Sequence, residues 1–179
     1  MMIKVSENIA LKPVLGSDTA ALFTLMKEIY TDVYGHFWID KGAWYLYSQY
    51  SDIAVTKELS EENAAYYFIL FKKEVIGILR FVWGEKLKGL SEEKQVKLHR
   101  IYLHPKTQAK GIGKKVLSWL EEKVLKKGHQ IIWLDAMDKQ VDAFEFYKKR
   151  GYLYYTHVFL PFDLMHKEVR RMSQIYKKL

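Results

Sequence analysis

The segment from Val96 to Gly128 constrains the fold more than any other part of the chain. Its sequence is VKLHRIYLHPKTQAKGIGKKVLSWLEEKVLKKG, and its first ten residues have a strand-like pattern that ends at Pro105. Apolar residues then repeat at helical spacing from about Gly113 to Lys127, and Gly128 is a typical C-terminal stop. A strand, a glycine-containing turn and a helix in this order indicate an α/β protein.

The rest of the chain adds strands and helices in mixed order. Strands are predicted at 3–14, 64–71, 75–83, 130–137 and 152–160, with the second and third as an antiparallel hairpin. Helices are predicted after Ser17 or Asp18, in one or two short pieces of the aromatic segment 30–52, and at 139–150. For the tail we predict an edge strand at 163–169 or a short basic helix at 170–179. One domain over residues 1–179 is expected.

Composition excludes several classes of function. The formal net charge is +8 and the sequence pI is about 9.4, so the chain should attract phosphates or anionic surfaces. It contains no cysteine, which excludes disulfide scaffolds, thiolate catalysis and cysteine-based zinc sites. The histidines show no paired ligand spacing, so no metal is expected. The start of the chain lacks an apolar run, which predicts a cytoplasmic protein with no membrane partner.

The stretch QAKGIGKK, residues 108–115, has the composition of an anion site. A glycine turn before a helix directs backbone N–H groups and the helix dipole at an anion, and side-chain-free Gly111 and Gly113 allow a phosphate oxygen to approach. Lys110, Lys114 and Lys115 add positive charge. The alternative is a plain turn, because the stretch matches neither the P-loop signature nor the dinucleotide fingerprint.

Two motifs carry a resemblance to a known family. The glycine stretch resembles the coenzyme A-binding segment of the GNAT superfamily of N-acetyltransferases, Q/R-x-x-G-x-G/A, at Gln108, Gly111 and Gly113. About thirty residues on, DAFEFYKKRGY resembles the family's A-x-x-F-Y-x-x-x-G-F/Y segment, with matches at Ala143, Phe146, Tyr147, Gly151 and Tyr152. More loosely, the chain is similar to bacterial spermine/spermidine N-acetyltransferases. The resemblance implies a single-domain GNAT-like α/β fold with a mixed, mostly antiparallel sheet of about seven strands flanked by helices.

The resemblance also implies acetyl-CoA as cosubstrate, without a metal. In the family, backbone at the end of the fourth strand pairs with the pantetheine arm, which here means Ile101, Tyr102 and Leu103. The pyrophosphate would bind the turn that follows, formed by Gln108, Ala109, Lys110, Gly111, Ile112, Gly113 and Lys114. The family often has an Asn one residue before the motif's Ala. This chain has Asp142 there, which cannot donate as an amide does, and Gln140 could substitute for it.

Two residues are candidates for the chemistry. Tyr147 matches the family position that delivers a proton to the departing sulfur, although it could simply pack. A backbone N–H near Leu103 would polarise the thioester carbonyl. His99 is a candidate general base because a histidine pKa is normally about 6.5. Strand alternation predicts that His99 shares a face with Lys97 and Ile101, opposite to Arg100. A structural histidine and a water chain as base are the alternatives.

The acceptor side is less defined. In the family it is covered by the segment that here carries Tyr30, Tyr34, His36, Phe37, Trp38, Trp44, Tyr45 and Tyr47. Nearby acidic residues that could attract a cationic acceptor are Asp32, Asp40, Asp52, Glu85, Glu92 and Glu93.

Three hypotheses follow. The first is transfer of an acetyl group to a primary amine of a small molecule, with polyamines among the candidates. The second is transfer to a protein N-terminus or lysine. The third, a basic nucleic-acid-binding module, is disfavoured because the charge is dispersed along the chain, so no nucleic-acid partner is expected. Edge strands and surface aromatics make a homodimer a further expectation.

Overall fold

The computed structural model describes residues 1–92, 94–107 and 109–179. Gln108 and Glu93, both named above, therefore lie outside the described residues. The strands are β1 (Ile3–Lys4), β2 (Ile9–Pro13), β3 (Ala64–Phe71), β4 (Glu74–Trp83), β5 (Gln95–Leu103), β6 (Ile131–Met137), β7 (Leu153–Phe159) and β8 (Arg171–Lys178). The helices are α1 (Thr19–Tyr34), α2 (Ala43–Tyr50), α3 (Asp52–Leu59), α4 (Ile112–Lys126) and α5 (Val141–Lys149).

All strands belong to one eight-stranded sheet in the order β1-β2-β3-β4-β5-β6-β8-β7. Its neighbouring strands are antiparallel except β5 and β6, which are parallel and are connected by α4. A parallel pair needs such a crossover, because a short hairpin can join only antiparallel strands. The predicted α/β fold with a mixed, mostly antiparallel sheet is confirmed.

The strand count differs from the prediction at both ends of the chain. The single strand predicted at 3–14 is two short strands, β1 and β2, paired with each other. Both predictions for the tail are wrong: residues 163–169 contain a 3-10 turn and no named strand, and residues 171–178 form β8 between β6 and β7 instead of a basic helix. Buried Ser173 and Ile175 alternate with less buried neighbours along β8, as expected for a strand whose successive side chains point to opposite faces of the sheet.

The two faces of the sheet carry separate apolar cores. On one face, residues of α4 such as Val116, Leu117 and Leu120 pack with Phe81 and Leu98 of the sheet. On the other face, α1, α2 and α3 cover β3 and β4. Contributing residues include Leu22, Met26, Ile29, Tyr50, Val55, Phe68 and Ile78. Within the described part of the chain, no helix is both long and apolar enough to cross a membrane.

Candidate active site

The sheet opens between its two parallel strands. β5 and β6 pair from Gln95 and Ile131 to Lys97 and Trp133, and beyond this point each follows its other neighbour, β4 or β8. A cavity of about 270 Å³ lies in the opening. Its walls come from α1, α2, α5, both strands and the segment after β7, and include Tyr30, Tyr45, His99, Tyr102, Gln140 and Tyr147.

The end of β5 presents an unpaired backbone edge to this cavity. Ile101, Tyr102 and Leu103 pair with β4 on one side, whereas the pairing between β5 and β6 ends at Lys97. Gly77 of β4 lies opposite Leu103, and a side chain there would overlap the carbonyl oxygen of Tyr102. The free edge of β5 can therefore accept an extended ligand as an additional strand.

The glycine turn leads directly into α4. Ala109 and Gly111 have positive φ values of 62° and 71°, and α4 begins at Ile112 with no side-chain cap. The first backbone N–H groups of α4 are therefore available to an anion. A Cβ at Gly111 would meet no atom within 4 Å, so this side of the turn is open. Lys110, Lys114 and Lys115 are exposed around the turn, as expected for a cationic site.

Gln140 and Asp142, the two polar residues considered for the contact with acetyl-CoA, lie at the start of α5, and one of them reaches the cavity. Gln140 lines it, and its Nε2 donates to the backbone oxygen of Val33 in α1 at 3.1 Å. Asp142 is exposed on α5 and is not among the lining residues. The structure therefore brings Gln140 to the cavity and does not bring Asp142.

Tyr147 is held in the cavity wall by its neighbours. It is only 7% exposed, and its ring contacts those of Phe146 and Tyr152 at centroid distances of 5.2 and 5.4 Å. Burial raises the pKa of Tyr147 above its usual value, and Tyr34 contributes in the same direction. The phenol is therefore protonated throughout the neutral pH range and can act as a proton donor.

A β-bulge interrupts β5 at His99. Arg80 of β4 is opposite Arg100, but the next residue of β4, Phe81, is opposite Leu98. His99 is therefore the additional residue in β5. Such an insertion shifts the alternation of side chains between the two faces of the strand.

The bulge overturns the prediction of which residues share a face. Leu98 and Ile101 both pack in the core under α4, although simple alternation would separate them. Arg100 reaches the opposite side of the sheet, where its Nη1 donates to Glu58 of α3. His99 lies on this side too, because it contacts Arg80, which also pairs with Glu58. The predicted face for His99, with Ile101 and opposite to Arg100, is wrong.

His99 is surrounded by positive charge. The Nη1 of Arg80 is hydrogen-bonded to the Nδ1 of His99, and Lys97 and Arg100 flank His99 in β5. Burial lowers the pKa of His99 to about 2, with smaller contributions from Arg100, Arg80 and Lys97. This environment does not favour the general-base role suggested for His99, since the side chain stays neutral and weakly basic.

Arg80 was not identified from the sequence, although a signal was present. It is an arginine in the middle of the apolar strand VIGILRFVW, and it is 2% exposed. A buried cation requires partners. Arg80 has them in Glu61, at 2.5 Å from its Nη2, and in Glu58, at 3.6 Å from its Nε.

The predicted aromatic segment supplies only part of the cavity wall. Tyr30 stacks on Tyr34 and Tyr45, at centroid distances of 4.9 and 4.6 Å, and all three line the cavity together with Tyr102. Burial raises the pKa of Tyr34 to about 12. His36, Phe37, Trp38, Trp44 and Tyr47 do not line the cavity.

A further aromatic side chain comes from a segment that the sequence did not indicate. Phe162, after β7, lines the cavity and packs on Trp38 at 5.7 Å between ring centroids. The predicted acidic candidates lie elsewhere: Asp32, Asp40, Asp52, Glu85 and Glu92 are all absent from the cavity lining. Among the lining residues within 1–92, 94–107 and 109–179, the acidic one is Asp135, which pairs with Lys97 at 3.2 Å.

A mostly antiparallel sheet that opens beside an uncapped helix start defines a protein of the N-acetyltransferase fold. The chain belongs to the Acetyltransferase (GNAT) family, whose sequence profile matches residues 23–152. It is 27% identical over 107 residues to a protein of Lactobacillus delbrueckii subsp. lactis named "Uncharacterized N-acetyltransferase in pepI 3'region". This match covers 59% of the present chain and 62% of the relative, so it spans about three fifths of the relative's length.

Solved structures share the fold at low sequence identity. One is the PaiA N-acetyltransferase from Thermoplasma acidophilum in complex with coenzyme A, at 19% identity, TM-score 0.69 and coverage of 96% of this chain and 99% of that one. A spermidine N-acetyltransferase SpeG mutant from Vibrio cholerae matches at 13%, TM-score 0.66 and coverage of 97% and 95%. RimL, a ribosomal L7/L12 α-N-protein acetyltransferase in complex with coenzyme A, matches at 13%, TM-score 0.72 and coverage of 100% and 98%.

Proposed function

We propose that this protein transfers the acetyl group of acetyl-CoA to a primary amine of a small molecule bound in the cavity. The observation that carries the proposal is that the free edge of β5 ends beside the uncapped start of α4, while Tyr147 lines the same opening. An extended thioester arm and its phosphates need these features next to one another. The family membership and the coenzyme A complexes of PaiA and RimL support the same cosubstrate.

In this proposal, two parts of the protein bind acetyl-CoA: the end of β5 and the turn before α4. The backbone edge of Ile101, Tyr102 and Leu103 would pair with the pantetheine amides. The N–H groups from Ala109 to Lys114 would hold the pyrophosphate, and Gln140 would supply the amide donor that Asp142 cannot supply. The predicted contribution of Gln108 concerns a residue outside the described ranges.

The transfer requires one bond to form and one to break. The neutral amine nitrogen attacks the thioester carbonyl carbon, whose oxygen is polarised by a backbone N–H near Leu103, and the C–S bond then breaks. The thiolate takes a proton from the Tyr147 hydroxyl. The nitrogen loses its extra proton to solvent, and Tyr147 regains one from solvent.

The cavity favours a small acceptor. Its volume of about 270 Å³ and its wall of tyrosines and Phe162 suit a small amine better than a protein chain. Aromatic faces attract ammonium groups, so a polyamine, the substrate in the name of SpeG, is one candidate. The alternative is the amine of a protein N-terminus or lysine, as in the name of RimL.

The test is coenzyme A release from acetyl-CoA with a panel of small amines and peptides, preceded by calorimetric binding of acetyl-CoA. We expect binding of acetyl-CoA and release that depends on a small amine. Release with peptides alone would favour the protein acceptor. Thermal stabilisation by duplex DNA but not by acetyl-CoA, in matched salt, would reject the acetyltransferase proposal.

A further inference from the structure

The hydrogen bond between Arg80 and His99 determines which imidazole nitrogen can donate. A guanidinium group has only N–H donors, so the Nδ1 of His99, which faces the Nη1 of Arg80, must be the acceptor. A neutral imidazole with an accepting Nδ1 carries its proton on Nε2. Nε2 is therefore a hydrogen-bond donor, and it cannot take a proton from an amine while this bond exists.

Arg80 cannot easily turn away from His99. It is 2% exposed, and Glu61 and Glu58 hold its guanidinium from the α3 side. Across the strand pair, Arg100 uses the same Glu58, at 2.6 Å, and is also bonded to Gln49, at 2.7 Å. Both glutamates are thus paired with arginines, and the tautomer of His99 is held by a network built on the buried guanidinium of Arg80.

The Nε2 of His99 is available to a ligand. His99 lines the cavity, and no group in the described ranges accepts a hydrogen bond from its Nε2. This atom is also not among the buried polar atoms that lack a partner, so it is open to the cavity. An N–H donor in this position requires a ligand atom with a lone pair.

The charges around the cavity point to the same kind of ligand. Arg80 on β4 and Lys97 and Arg100 on β5 face His99, and the neighbouring Glu58 and Glu61 of the α3 side are paired with the arginines. Asp135 on β6 is paired with Lys97 and accepts from Gln174 at 2.9 Å. In the portion of the chain that the structure describes, the cavity lining therefore offers no unpaired carboxylate for a second ammonium group of an acceptor.

We propose that the Nε2–H of His99 binds an oxygen of the acceptor, so that the acceptor is a primary amine with a carbonyl or carboxylate group beside it, such as an amino acid or its amide. Arg80 is a positioning residue that holds the donating tautomer. When the reacting nitrogen of a polyamine is neutral and attacks the thioester, its other nitrogens are ammonium groups, which have only donors and offer nothing to Nε2–H. This inference rests on the proposed acetyl transfer and specifies its acceptor.

The test compares two amines that differ in the oxygen-bearing group. Values of kcat/KM are measured for phenylalaninamide and phenethylamine, with spermidine as the polyamine, on the parent, His99→Leu and His99→Gln. The ratio between variants for one acceptor cancels the intrinsic reactivity of that amine. We expect His99→Leu to lower kcat/KM for phenylalaninamide by about tenfold or more and that for phenethylamine by less than about threefold. His99→Gln, which retains an amide donor, should recover most of the loss.

The matched control is His157→Leu, which changes an exposed histidine of the edge strand β7, outside the cavity lining. It should leave all three acceptors unaffected. Equal losses for both amines in His99→Leu, or spermidine as the best acceptor of the parent, would overturn the inference while leaving acetyl transfer intact. A parent protein that binds acetyl-CoA but acetylates no amine would reject the proposed function itself, and the inference with it.

The role of Arg80 has a separate readout. Nitrogen-15 NMR of the parent should show His99 as the Nε2–H tautomer, without titration down to about pH 5. Arg80→Leu, compared with Arg80→Lys, should allow His99 to titrate and should reduce the preference for phenylalaninamide over phenethylamine. An Nδ1–H tautomer in the parent protein would overturn the assignment whether or not the Arg80 variants fold.

Discussion

Tyr147 combines two properties that a proton donor to a thiolate needs. Its ring is fixed between Phe146 and Tyr152, and burial raises the pKa of its phenol, so the proton is present throughout the neutral pH range. We predict that Tyr147→Phe lowers kcat by about tenfold to a hundredfold, at the lower end of general acid effects, because a thiolate is a good leaving group. Affinity for acetyl-CoA should change little, because the ring still packs.

The measurement for Tyr147→Phe is single-turnover acetyl transfer across pH, with acetyl-CoA binding measured separately. Since its pKa is raised, the parent rate should show no fall from tyrosine ionisation up to about pH 10. A variant that transfers at the parent rate at every pH would mean that Tyr147 only packs and that water or another residue protonates the sulfur.

At the scale of residues, sequence motifs were informative where chemistry depends on local spacing. Tyr147 and the glycines could be proposed because the motif residues are close together in the chain. The environment of His99 could not, because it depends on a bulge between β4 and β5 and on glutamates about forty residues away in sequence. Alternation along one strand does not predict an inserted residue, since the insertion is defined only by the partner strand.

At the scale of elements, the turn before α4 is where backbone geometry and charge meet. Gly111 has a φ of 71°, and a Cβ at this position would meet no atom within 4 Å. We predict that Gly111→Asp weakens acetyl-CoA binding by about fivefold or more, because a carboxylate would repel phosphate at a helix start, where such interactions contribute about 1 kcal/mol. Calorimetric titration measures this effect.

Gly111→Asn is the matched control for the charge. Asn has nearly the same shape as Asp and tolerates positive φ equally well, but it is neutral. The difference between the two variants therefore isolates the electrostatic effect from steric and backbone effects. Identical affinities for Asp and Asn in folded proteins would show that no phosphate lies near this turn.

The elements themselves were predictable where apolar periodicity is long. The spacing in α4 and the β3–β4 hairpin could be recognised from the sequence, and both are present. β8 could not be distinguished from a basic helix, because the terminal lysines Lys177 and Lys178 and a short apolar pattern fit both structures. Its strand conformation depends on the gap between β6 and β7, which is a property of the assembled sheet.

At the scale of the whole molecule, the net charge of +8 comes from lysines and arginines of two kinds, those engaged in buried ion pairs and those exposed to solvent. Arg80, Arg100 and Lys97 are engaged in buried or half-buried pairs and are poorly screened by salt. The exposed lysines at the start of α4 face solvent. Salt should therefore act on capture of acetyl-CoA by these lysines more than on the cavity around His99.

We predict that the KM for acetyl-CoA rises with salt, because exposed charges are screened within about 8 Å at physiological ionic strength and within a shorter distance above it. Lys114→Gln should raise KM at low salt and make it less dependent on salt. Lys126→Gln is the matched control: Lys126 lies about 18 Å further along α4, beyond the screening length, and its near neighbour Glu122 is 3.9 Å away. Equal effects of the two substitutions would mean that only the overall charge attracts the cosubstrate. A KM that stays constant from low to high salt would mean that the backbone N–H groups alone hold the phosphates.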